Sequence, residues 1–140
     1  MFLTNNRVQL IGDVVVGPEF SHMAGGHKMY HIQIKVCRSS GQSDLLPVHI
    51  PEFMLKEYDT DLTEQTVQIA GEYRSRNLHE ESGSHLLLAV HAYGLRPFQG
   101  PIDCADNNRI RLQGYLCKSP IYRFTPAGER DHGFARGRTP

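Results

Sequence analysis

For most of its first 94 residues this chain alternates apolar and polar side chains with a period of two. Val8, Leu10, Gly12, Val14 and Val16 share one side, and Arg7, Gln9, Ile11, Asp13 and Val15 the other. Only an extended strand turns such a pattern into one continuous apolar face. Gly17-Pro18 is expected to break this first strand, and Gly25-Gly26 to precede a second. There Tyr30, Ile32, Ile34 and Val36 share one face, with His31, Gln33, Lys35 and Cys37 on the other. A turn at Ser39-Ser40-Gly41 leads to a shorter third strand carrying Leu46, Val48 and Ile50. Pro51 to Tyr58 loses the alternation and reads as a short helix, with proline at its first position. Alternation then resumes. Val67, Ile69, Gly71, Tyr73 and Ser75 oppose Gln68, Ala70, Glu72, Arg74 and Arg76; a loop at Glu80 to Gly83 precedes a fifth strand with Leu86, Leu88, Val90 and Ala92.

Three strands, a short helix and two strands is the order of an all-β, five-stranded Greek-key barrel, the OB-fold. Gly12 and Gly71 sit mid-strand, where a coiled barrel needs a bend that a Cβ would obstruct. A small antiparallel sandwich is the alternative that the pattern leaves open. Tyr30 and Tyr73 share parity with the buried aliphatics and are expected in the core.

Composition narrows the function classes. The chain has 140 residues, no net charge and 21% charged side chains, which is globular and not polybasic. The balance hides an asymmetry, net −4 over residues 1–94 and net +4 over 95–140. No apolar run reaches the ~18 residues of a membrane span, and the start lacks a signal-peptide core, so no membrane partner and a cytoplasmic location are expected. Cys37, Cys104 and Cys117 are odd in number and far apart, and are expected to stay reduced. No nucleophile–base signature is visible, and no cofactor is implied. Eight histidines are scattered, and each reads as a solvated or core-edge side chain in preference to a metal ligand.

An internal repeat adds more. Asn6-Arg7-Val8-Gln9-Leu10-Ile11-Gly12 recurs as Asn108-Arg109-Ile110-Arg111-Leu112-Gln113-Gly114, and at the same offset Pro18 falls on Pro120 and Phe20 on Tyr122. The organisation expected is a first barrel over residues 1–94, a linker over 95–106, and an incomplete second unit over 107–126. A tail follows at 127–140.

The first copy with Pro18-Glu19-Phe20, the stretch Val67 to Arg76, and the second copy through Tyr115 to Thr125-Pro126 resemble bacterial single-stranded DNA-binding proteins. Two such units in tandem are similar to a clostridial and low-GC branch of that family. The resemblance implies an OB barrel that binds single-stranded DNA in replication, recombination and repair, as a homodimer or homotetramer. Such binders join a basic groove to aromatic faces that stack bases. Outward parity here supplies Arg7, Lys35, Arg74 and Arg76, with Arg38 beside them, and the second copy supplies Arg109, Arg111 and Tyr115. Arg74 and Arg76 face the same way and can bridge successive phosphates. The first strand, Asn6 to Val16, is expected to offer an edge to a neighbouring copy.

The departures are specific. There is no Trp, and positions where the family carries stacking aromatics hold Ser40, Leu45 and Leu78. The acidic tail that recruits other replication proteins is replaced by an ending with Arg136, Arg138 and Pro140. Dropping one nucleotide after Pro126 allows the remaining codons to read Leu-Gly-Arg-Glu-Ile-(Thr or Met)-Asp-Leu-Leu-Ala-Val, which is the family's continuation. A one-base insertion that truncates the second barrel is therefore expected, leaving 127–140 disordered and without function. Two other readings stay open: a primosome-accessory OB protein that also binds a helicase, and a barrel used only as a protein adaptor.

Overall fold

The computed structural model describes residues 5–58 and 61–122. β1 (Asn6–Ala24), β2 (His27–Cys37) and β3 (Ser43–Pro51) lead to a short helix, α1 (Glu52–Glu57), followed by β4 (Thr66–Glu80), β5 (Gly83–Pro97) and β6 (Asn108–Leu112). Antiparallel ladders join β1 to β2, β2 to β3, β4 to β5 and β1 to β4. A short parallel pairing of Val48 and His49 with Val90 and His91 joins β3 to β5 and closes the barrel. This is the OB-fold, with its helix between β3 and β4.

The inward parity holds along most of the barrel. Val16, Leu86 and Leu88, read on the same faces as the buried aliphatics, are exposed where β1 turns irregular and β5 runs out past the barrel. Val8, Leu10, Val14, Ile32, Ile34, Val48, Ile50, Val67 and Ile69 are buried in one cluster. Each such side chain contributes about 1.5–3 kcal/mol over an exposed position, and a one-residue slip would turn a strand's whole set to water. Pro51 precedes α1 in extended conformation, and Glu52 and Lys56 lie one turn apart at 3.7 Å. Met54 points from α1 into the core. A Cβ on Gly12 would collide with the carbonyl oxygen of Lys35, and one on Gly71 would lie 2.5 Å from that of His91. Both glycines therefore mark close backbone approaches.

Four further expectations need correction. β1 does not end at Gly17-Pro18 but continues to Ala24, with register shifts around Val16 that leave the proline at an irregularity of the ladder, where its missing N–H is tolerated. Tyr73 keeps inward parity yet is 36% exposed, because β4 reaches the barrel rim there; its backbone is tied to the Asn6 side chain at 2.6 and 2.8 Å. Tyr30 is half-buried, with its hydroxyl donating to Glu52 at 3.2 Å.

Cys37 and Cys104 form a disulfide, contrary to the reduced state expected. Their separation of 67 residues gives no local signal. The fold carries the segment before β6 back to the end of β2, where buried Asn107 donates to the Cys37 carbonyl at 3.0 Å.

Finally, the β1 edge is occupied. β6 pairs antiparallel with Asn6–Leu10, and Val8 lies opposite Ile110, its own counterpart in the repeat. That register is the one two copies of a single strand adopt about a two-fold axis. The readings of residues 123–140, including the altered frame, lie outside the described residues.

Candidate nucleic-acid interface

A groove of about 220 Å³ opens on the outside of the barrel between β1, β3, β4 and β5. His22, His49, His91, Arg74 and Arg76 line it. Strand pairing explains the grouping. His31 lies opposite His49 across β2–β3, and His49 opposite His91 across the parallel β3–β5 junction. The second half of β1 brings His22 over them. Ring centroids are 5.0 Å apart for His22–His49 and 5.7 Å for His31–His49.

The groove keeps imidazoles neutral. Burial, followed by His22, His31, Arg76 and His91, pushes His49 down to about 4. Burial and then the Arg76 charge lower His22. Burial and then Arg74 lower His91, against the opposing pull of Glu72. Arg76 is half-buried, and its Nε is a buried donor with no hydrogen-bond acceptor.

The cationic residues read from the sequence fall into separate sets. Arg74 and Arg76 share this groove, and Glu72 holds Arg74 at 2.7 and 3.0 Å. Lys35 is exposed on β2 opposite Leu45, itself 58% exposed. Arg38 sits at the β2–β3 turn, gripped at both ends of its guanidinium by Asp44 at 2.8 and 2.5 Å. Arg7, Arg109 and Arg111 line a second groove on β1 and β6, where Asp106 binds Arg109. Tyr115 is almost fully exposed beyond β6 and lines neither groove. The histidines were read singly from the sequence and so missed as a group. Alternation placed His31 outward, and the same rule applied between Val48 and Ile50 would have placed His49 beside it; the parallel β3–β5 pairing that adds His91 carries no local signal.

A closed five-stranded Greek-key barrel with a cationic groove across its outer wall defines an OB-fold protein. The comparisons agree. The chain is 30% identical to the N-terminal domain of PriB from Thermoanaerobacter tencongensis, covering 69% of this chain and all of that one with a TM-score of 0.58. It belongs to the same family as that PriB domain. The fold is also shared with a deletion mutant of the single-stranded DNA-binding protein from Thermus aquaticus, at 22% identity and a TM-score of 0.58 over 88% of this chain and 63% of that one. Rim1, the mitochondrial single-stranded DNA-binding protein of S. cerevisiae, matches at 9% identity and a TM-score of 0.53, over 71% of this chain and all of that one. No protein-family model and no curated protein matches the sequence.

Proposed function

We propose that this chain is a non-catalytic single-stranded DNA-binding protein of replication, recombination or repair, following the sugar-phosphate backbone with little sequence preference. The observation that carries this reading is the Arg74–Arg76 pair, facing one groove of an OB barrel in this family. Cations spaced along a strand can follow successive phosphates, and sequence-tolerant binding needs no base-edge readout. Lys35 on β2 and Arg38 at the β2–β3 turn lie outside this groove and offer further cations; the second groove, with Arg7, Arg109 and Arg111, is another place for the strand to continue. A salt-titrated oligo-dT binding curve tests the reading. If Arg74, Arg76 and Lys35 each meet a phosphate, log K falls against log salt with a slope of about −2. Absence of binding at low salt leaves the protein-adaptor reading in its place.

A second reading, the primosome-accessory type, is favoured by the 30% identity to PriB. It predicts that oligo-dT binding coexists with capture of a helicase.

The segment from Asn108 is best read as a second copy of the barrel's first strand, seated where another chain's β1 would sit. Homo-oligomerisation through β1 then requires β6 to leave. Deleting residues 108–140 keeps Asn107 but bares the hydrogen-bonding edge of Asn6–Leu10. The shortened chain is expected to dimerise at tens of micromolar, with a doubled mass relative to the parent in light scattering. An unchanged mass would count against β6 as the occupant of that interface.

A further inference from the structure

We propose that His22, His31, His49 and His91, grouped with Arg76, form the central contact surface for a bound single strand, and that strand binding there takes up protons. The inference rests on the strand-binding reading above and assigns it residues outside the set read from the sequence. Four imidazoles converge from four strands of one outer wall, two of them within 5.0 and 5.7 Å of His49. Arg76 lines the same groove with a buried Nε donor that has no acceptor.

Metal binding is the competing use of such a cluster. Among the described residues no three ligating groups are placed to hold an ion, and two guanidinium groups in the groove repel a cation. The same charges attract a phosphate. Neutral imidazole also suits a nucleic acid, having one ring nitrogen that donates, one that accepts, and a flat face.

The proton linkage follows from the charges facing the cluster. β1 contributes His22 and, opposite His31, Glu19; β2 contributes His31, with Lys35 further along; β3 contributes His49 and β5 His91. β4 contributes Glu72, Arg74 and Arg76. Glu72 favours protonated His91 but is outweighed there by burial and Arg74, and burial with Arg76 and the neighbouring imidazoles lowers His22 and His49, so the empty groove disfavours the charged form of all three rings. A phosphate seated against Arg76 adds one negative charge beside the imidazoles, offsetting the arginine and raising their proton affinity. The complex therefore holds more protons than the free protein, and affinity rises as pH falls.

The experiment measures oligo-dT binding by the full chain from pH 5.5 to 8.0 at fixed salt, with folding checked at each pH. Thymine and the phosphodiester do not titrate in this range, so any slope belongs to the protein. One linked proton gives at most about tenfold per pH unit, and we expect about tenfold tighter binding at pH 6.0 than at 7.5. Titration calorimetry of the unmodified protein in buffers of different ionisation enthalpy should show net proton uptake, which keeps the test independent of any variant's folding. The double variant His22→Gln, His49→Gln should lose more than half of the pH slope, whatever its affinity at pH 8.0. Binding that is tight at pH 8.0 but flat with pH, or a slope that survives in the double variant, overturns this inference and leaves the strand-binding reading standing. No binding at any pH overturns that reading itself, and this inference with it.

Discussion

Reversing both groove arginines, Arg74→Glu with Arg76→Glu, should lower oligo-dT affinity about 100-fold near 0.1 M salt and make the salt slope shallower by about 1.4. A charge-assisted contact is worth about 1.5–3 kcal/mol, and about 1.4 kcal/mol is tenfold in affinity. The two residues are not equal. Glu72 already holds Arg74 through two hydrogen bonds, so a phosphate must compete with that carboxylate. Arg76 has no such competitor at its buried Nε. Arg76→Ala should therefore cost more affinity than Arg74→Ala. Fluorescence anisotropy of labelled oligo-dT across a salt series measures both effects. A folded double variant that binds like its parent removes the pair from the interface.

The second large effect concerns stability. Cys37 and Cys104 close a long loop, their separation in sequence being 67 residues. Loop-closure entropy assigns such a cross-link about 4 kcal/mol against the unfolded chain. It also anchors the segment through which Asn107 caps the end of β2 and its carbonyl accepts from the Ile11 amide at 2.9 Å. Cys37→Ser with Cys104→Ser should thus lower Tm by about 14 °C, taking the per-kcal shift usual for a domain of this size. Adding reductant should do the same to the parent and nothing to the variant. Equal melting of parent and variant without reductant would show that the bridge contributes no stability.

These two predictions differ in how far the chain announced them. Arg74 and Arg76 are separated by one residue within an alternating run, and that parity alone put both on the outward face. The disulfide left no comparable trace. Nothing near Cys37 or Cys104 in sequence reports that the segment before β6 returns to the end of β2, because that return depends on β6 pairing with β1. The histidines fall between these cases. His31 was read as an outward residue and alternation offers the same for His49 on the next strand, yet His22 and His91 join them only through the irregular second half of β1 and the parallel β3–β5 contact.

The sequence by itself determined the order of strands and short helix along the chain, most of the inward aliphatic set and the two mid-strand glycines, although Pro51, read as the first helical residue, ends β3 instead. Each of these is local: pleat alternation, a proline start or a missing Cβ acts within a few residues and needs no partner to be read. Tertiary structure alone decided that β1 runs on through Gly17-Pro18, that Tyr73 stays exposed at the rim, that Cys37 meets Cys104, and that four imidazoles and two arginines share one wall. It also decided that the repeated strand pairs with its own original. Those outcomes depend on register, and register is set by the summed burial of every cross-strand pair once the barrel closes.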